Sequence, residues 1–357
     1  MLSPRAGAIL KSIVLQYIVK AEPVPSQSLV NGGLCVSSAT IRNEMVRLEQ
    51  AGYIARPHPS AGSVPCDKAY RYYVESLTEL ELPLAEQFLI SHLFHQVEDD
   101  LEEWLRLAVT LIARSVQNVA VVTNPRPANC QFKHVELIVL RDFLVLAVLI
   151  LHGARIKQQL VTLDQMTSQA ELTAVGNKFN ATYSGWTRSQ ISAKVDELSP
   201  IERQLADCLV KMMKAEDEQE YEEPYIDGLH FMLSQPEFAH NRRVLSLMEM
   251  IEQRSLLPAI IPPELPRYGV QIVIGKENKT EAVQDFSVVI SRYGLPEEAI
   301  GIIGIIGPTR MPYARVIPAV GFLSSLLSKL VAELYGKGMP TEDFTQVILV
   351  RNDNGIG

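Results

Sequence analysis

The sequence predicts a multidomain α+β protein, and three observations carry that prediction. The chain has 357 residues, 47% of them hydrophobic, which is more than a single core normally accommodates. Its first 75 or so residues read as short helices followed by one Pro/Gly-bounded hairpin. Beyond them, β-branched apolar runs stand on both sides of a helical, acidic block. One α/β domain with another segment inserted into it accounts for that order.

Ser3-Pro4 is a helix start, with proline in the first turn. Ile9, Leu10, Ile13, Val14, Tyr17 and Ile18 then form an apolar stripe that Pro23 and Pro25 end. Ser26 to Val30 reads as a second, short helix closed by Gly32-Gly33. A third helix opens at Ser37 or Ser38, either of which can cap it. Ile41, Met45 and Leu48 share its inner face. Ala39, Asn43, Val46, Arg47 and Gln50 lie opposite, Thr40 and Arg42 flank them, and Gly52 is the stop. Tyr53 to Arg56 is strand-like, Pro57 to Gly62 is a turn, and Val64 begins the return.

Helix, short helix, helix and two-stranded wing in that order describe a winged helix-turn-helix. Small and polar residues at the start of the third helix, with arginines behind them, suit a helix lying in a major groove. Residues 1–75 hold eight Lys/Arg against five Asp/Glu, a net of +3 on a chain of net −8. A locally basic module on an acidic body is what phosphate binding requires.

The body follows. Asp67 to Leu77 reads as a helix, Glu79 to Pro83 as a junction, and Leu84 to Val116 as a long helical stretch. Val119–Thr123, Phe132–Leu140, Phe143–Leu151 and Arg155–Leu163 are strand candidates, the last two joined by His152-Gly153, and Gln165–Tyr183 returns to helix. Leu198–Leu257 is mainly helical and carries the acidic run 216–223, read as a solvated loop or helix end. After the proline-rich stretch 258–266, strands resume at Gly269–Gly275, Gln284–Ser291 and Ile300–Gly307, and a helix near Pro312–Tyr335 closes the domain.

Several function classes lose ground. The longest apolar run, Phe143–Leu151, has nine residues, short of the roughly 18–20 that cross a bilayer. No export signal opens the chain, and the four cysteines (35, 66, 130, 208) form no Cys-x-x-Cys pair. Free thiols in a cytoplasmic protein, without metal or membrane, fit these facts. GIIGIIG (301–307) lacks the pattern of a phosphate loop and reads as a tightly packed buried strand. His92 and His95 share a helical face near Glu98 and Asp99, but form no closed ligand set. No nucleophile elbow is present, so no enzyme and no cofactor are expected.

The blocks VSSATIRNEM and RLEQAGYI (36–54), PHPSAG and DKAYRYYV (57–74), GKENKTE (275–281) and GIIGPTRMPYARVI (304–317) resemble the heat-inducible transcription repressor HrcA family, in the family's order and over nearly the full length. The resemblance implies a winged-helix domain (1–78), a helical linker (79–104), a GAF-like domain in two parts (105–197 and 267–340) around an inserted dimerisation domain (198–266), and a C-terminal tail (341–357). It implies a homodimer that binds an inverted-repeat operator in double-stranded DNA ahead of chaperonin genes, with activity that depends on the chaperonin. A mean hydropathy of +0.08 and strands that need long-range pairing are compatible with slow, assisted folding. Ser38, Thr40, Arg42, Asn43 and Arg47 are expected at groove and phosphates, and Arg56, His58 and Ser60 on the wing. Asn43 or Arg47 is placed to contact a base in two places. The sequence departs from the family at Ser63, where relatives usually carry arginine; a weaker wing contact is expected there. The competing reading is a winged-helix regulator whose GAF-like domain senses a small molecule.

Overall fold

Residues 2–31, 37–58, 61–78, 81–97, 100–126, 130–152, 156–195, 198–217, 223–238, 242–262, 265–266, 268–295 and 299–337 are described by the structure, a computed structural model. They fall into two compact units, residues 1–126 with 221–357, and residues 127–220.

The first unit begins with α1 (Pro4–Lys20), α2 (Ser26–Asn31) and α3 (Ser38–Gln50). Ser3 caps α1 by accepting from the Ala6 N–H at 3.2 Å, and Ser37 caps α3 by accepting from the Thr40 N–H at 3.2 Å. The stripe of α1 buries Ile9, Leu10, Ile13 and Val14, and α3 turns Ile41, Met45 and Leu48 into the same core. Strands β1 (Ile54–Ala55) and β2 (Val64–Pro65) form an antiparallel hairpin with Ala55 opposite Val64. Then come α4 (Asp67–Glu75), α5 (Leu84–His95), α6 (Leu101–Val116) and β3 (Val119–Val122). The helical stretch expected over 84–116 is therefore two helices, the second capped by Asp100.

The second unit contains β4 (Phe132–Arg141), β5 (Leu144–Leu151) and β6 (Ile156–Thr162) in an antiparallel sheet of that order. Helices α7 (Gln169–Tyr183), α8 (Arg188–Ser192) and α9 (Pro200–Asp217) complete it. Every second residue of β5, from Val145 to Leu151, is buried with Phe132, Leu172, Phe179 and Leu209. The acidic stretch 216–223 is only partly outward-facing: Glu216 is buried and pairs with Lys157 at 2.7 Å, Asp217 accepts from the Cys130 N–H at 2.8 Å, and 218–222 lie outside the described residues.

The chain then returns to the first unit with β7 (Tyr225–Asp227), α10 (Leu229–Leu233), α11 (Arg242–Glu252), α12 (Leu256–Ile260), β8 (Val270–Ile274), β9 (Phe286–Leu295), β10 (Ala299–Pro308) and α13 (Tyr313–Leu334). Five strands make one antiparallel sheet, β7-β3-β10-β9-β8. Val270, Ile272, Ile303 and Ile305 face α6 and α13 on one side. Val121, Val288, Ile302 and Ile306 join Met232, Leu247 and Leu257 on the other. Coverage on both faces explains why β3 and β10 read as unbroken apolar runs. GIIGIIG lies in β10, and an added Cβ on Gly301 would sit 2.3 Å from the Tyr293 ring, as close packing of a buried strand requires.

The division of the chain differs from the expected one. Strands β4–β6 with α7, expected in the first part of the α/β domain at 105–197, belong to the separate unit 127–220. The helices of 223–262, expected in an insert at 198–266, pack on the five-stranded sheet instead. Residues 1–78 and 79–104 share a unit and one core cluster with that sheet. Strand patterns reveal that a segment pairs but not with which strand it pairs. By length and composition α13 could cross a membrane, yet 72% of its apolar window is buried in this unit; it is a core helix.

Candidate nucleic-acid interface

Helix α3 presents a strip of exposed side chains opposite its buried face: Ala39, Arg42, Asn43, Val46, Arg47 and Gln50. The burial of Ile41 (0%), Met45 (3%) and Leu48 (1%) sets its rotation. Of the expected contact residues, Arg42, Asn43 and Arg47 fall on the strip. Ser38 and Thr40 are half-buried at its N-terminal end, where Thr40 Oγ1 lies 2.8 Å from Ser37 Oγ and belongs to the cap. Arg56 and His58 are exposed on the hairpin, and Ser60 lies outside the described residues.

Two of the arginines have intramolecular partners. Arg47 Nη1 is 3.4 Å from Glu44 Oε1, and Arg56 Nε is 3.3 Å from Glu49 Oε2. The Arg56–Glu49 pair is partly exposed on both sides and contributes little, whereas Arg47 is exposed but its partner Glu44 is buried. Arg42 has no ion pair among the described residues. The sequence reading set Val46 and Gln50 on this face without giving them a role. Their exposure at positions 46 and 50, one helical turn apart and next to Arg42 and Arg47, was the available signal.

Position 63 is not on the outer surface. Ser63 is fully buried, and its N–H and C=O exchange 2.9 Å hydrogen bonds with Val24. It anchors the hairpin to the segment after α1.

Helix α4 fastens the hairpin side of this region to the sheet. Arg71 Nε donates to Glu277 Oε1 at 2.8 Å, and its Nη2 donates to Ile272 O at 2.8 Å and to Glu277 Oε2. Burial works against the Arg71 charge, but the hydrogen bond and charge of Glu277 outweigh it, and the guanidinium is held above its ordinary value. Asp67 Oδ2 accepts from the Lys276 N–H at 3.0 Å; burial nevertheless raises its carboxyl above the usual range. The ring of Tyr70 packs 6.1 Å from that of Tyr313, and burial pushes both phenols well up. Cys66, just ahead of α4, is also raised by burial, which keeps it a thiol.

A second fastening is made by Arg310, which bonds Glu237, Ile18 O at 3.1 Å and Gln235 Oε1 at 3.4 Å. It ties α1 to the segment after α10, all within the first unit. A cavity of about 460 Å³ adjoins it, lined by Ile18, Val19, Phe231, Met311, Arg310 and Arg315 among others. Both arginines already pair with carboxylates, Arg310 with Glu237 and Arg315 with Glu86 at 3.2 Å. His92 is exposed and lies 2.9 Å from the Gln96 amide; Glu98 and Asp99 fall outside the described residues, among which no cluster of metal ligands occurs.

Comparison with known proteins places this arrangement. Residues 102–317 match the family described as HrcA protein C terminal domain. A heat-inducible transcription repressor HrcA from Dehalococcoides mccartyi is 55% identical over 338 residues, covering 94% of this chain and 98% of that protein. Proteins of the same name from Herpetosiphon aurantiacus and Chloroflexus aurantiacus are 38% and 37% identical, with 94% of this chain covered in each case and 97% and 95% of those proteins. A crystal structure of a hypothetical protein shares the fold, with a TM-score of 0.56, 22% identity, and coverage of 93% of this chain and 99% of that one. With the family model spanning more than half of the chain and relatives aligned along nearly all of it, the chain belongs to the HrcA family, whose curated members are named heat-inducible transcription repressors.

Proposed function

We propose that this chain is a DNA-binding transcription repressor of chaperonin operons, acting as a homodimer on an inverted-repeat operator. In this reading α1–α4 with the β1–β2 hairpin form the winged helix-turn-helix, the five-stranded sheet with its helices is the GAF-like domain, and residues 127–220 are the dimerisation insert. The observation that carries it is the exposed strip of α3, with Arg42, Asn43 and Arg47 side by side and Arg56 and His58 on the adjoining hairpin. Arg42, Arg47 and Arg56 serve phosphates; Asn43 or Arg47 makes the paired base contact, worth about 1–3 kcal/mol of discrimination.

One such module covers only a few base pairs, so specificity over a genome needs two half-sites at fixed spacing. The outer face of the three-stranded sheet supplies a surface for pairing. Ile138, Leu146 and Leu160 stand side by side across the strands, next to Ile150 and Ile156. Ile138, Ile156 and Leu160 are 43%, 64% and 57% exposed. A patch of that kind on one face of a sheet marks an interaction site, and a second copy would cover it. Chaperonin dependence belongs to the same reading: refolding with and without a chaperonin should give different yields of DNA-binding protein.

The test is binding of the full chain to duplexes taken from upstream of chaperone genes, over a salt series. Specific binding that weakens steeply with salt is expected, with Arg42→Ala and Arg47→Ala each lowering the salt slope by about one. Equal affinity for these and for scrambled duplexes at low salt would refute the proposal.

A further inference from the structure

We infer that Val46 reads the methyl group of a thymine in each operator half-site. This rests on the proposed DNA-binding role of α3 and goes beyond it by naming an apolar contact. Val46 is 41% exposed in the middle of the α3 strip. Arg42 and Asn43 precede it by about one turn, Arg47 is adjacent, and Gln50 follows one turn later; all four are exposed. A lone exposed valine elsewhere carries nothing, and Val19, 80% exposed near the end of α1, is an example. Val46 differs because Arg42, Asn43 and Gln50, which can donate hydrogen bonds, lie about one turn to either side of it on the same helix face, beside Glu49, which is paired with Arg56.

In the free chain this side chain is only partly covered. It is β-branched on a helix, which lowers helix propensity, and its methyls remain partly in water instead of joining Ile41, Met45 and Leu48 inside. The major-groove edge of B-DNA is polar except for one group, the C5-methyl of thymine. When α3 lies in that groove with Arg42, Asn43, Arg47 and Gln50 against polar edges and phosphates, Val46 faces the base pair between them. A cytosine, with only a hydrogen at C5, or a purine, with the N7 acceptor, would deny its methyls that contact.

The test uses the full chain and the duplex it enriches from a pool of random inverted repeats. Each thymine of that duplex is replaced in turn by deoxyuridine, which removes only the methyl. One position per half-site should weaken wild-type binding about 4-fold, the value of one buried methyl group. Val46→Ala should bind the thymine and deoxyuridine duplexes equally at that position, and Val46→Thr, which keeps one methyl, should retain part of the difference. Both variants should stay folded, since the residue is partly exposed and alanine favours a helix, as a cooperative thermal transition can check. Deoxyuridine effects of equal size in wild type and Val46→Ala at every position overturn the inference while leaving DNA binding intact, provided Arg42→Ala still weakens it. If no duplex is enriched at low salt, the DNA-binding reading fails and the inference with it.

Discussion

Removing Arg71 should loosen α4 from the sheet, and the size of the effect can be worked from its contacts. The guanidinium makes two hydrogen bonds to Glu277 and one to Ile272 O, and the two side chains are 18% and 21% exposed. An exposed pair contributes roughly 0.2–1 kcal/mol, whereas breaking a fully buried one costs roughly 3–5. This pair lies between those limits, so Arg71→Ala should cost about 2–3 kcal/mol. Glu277→Ala also removes the carboxylate that accepts from the Ile274 N–H at 2.8 Å, so its cost should be similar. The two losses should not add. A cycle of both single variants and the double variant should return a coupling of about 1–2 kcal/mol, since the contact with Ile272 O is separate from Glu277. Native-state hydrogen exchange of the α4 amides is a suitable assay, because it reads local opening free energy without treating a chain of two compact units as two-state. A coupling below about 0.5 kcal/mol, the scatter expected of independent sites, would refute the view that this pair holds α4 to the sheet.

Three further outcomes follow from the same structure. Leu146→Glu places a charge in the middle of the outer sheet face, between Ile138 and Leu160; light scattering should show a dimer converted to a folded monomer, and an unchanged mass would exclude this face as the contact. Gly228→Ala combines a φ of 90° with a Cβ only 2.2 Å from Asn118 O, whereas Gly52→Ala at φ 74° meets nothing within 4 Å. The first should lower the melting temperature clearly more than the second, whose cost is backbone strain of about 1 kcal/mol, and equal shifts would contradict the packing at 228. The folded-state value of Asp67 is raised above its unfolded one, so its contribution is present below the unfolded pKa and lost as pH rises through the folded one. Wild type should therefore lose stability relative to Asp67→Asn as pH rises above about 4, as calorimetry on either side of that pH can check; a difference constant with pH would show that burial does not penalise this carboxylate.

Helix α3 and its cap were legible in the sequence because a helix end and a buried stripe are local. Ser37, Ile41, Met45 and Leu48 lie within one short segment, and their spacing alone sets which residues point outward. Gln50 and Val46 could be placed on the outer face by the same rule, but their use depends on what lies against that face. The hairpin was legible from Pro57 and Gly62, although the burial of Ser63 was not, since it follows from a bridge to Val24, 39 positions earlier. The two arginine ties span larger distances, from Arg71 to Glu277 and from Arg310 back to Ile18, and no local pattern indicates them.

The sequence by itself determined nearly every strand and helix, the cap of α3 and the strip it exposes, because periodicity, capping and turn chemistry act over a few residues. Only the tertiary structure decided that β3 joins β7 and β10 while β4–β6 form another sheet, and that the helices after β7 cover the first of these. A strand's hydrogen-bonding edges are the same whatever its sequence, so its partner is selected by packing of whole surfaces. No local pattern marked that choice: β5 reads LVLAVLIL, as unbroken an apolar run as β3, and only the packing makes every second residue of β5 buried while all of β3 is buried, the difference between a sheet covered on one face and a sheet covered on both.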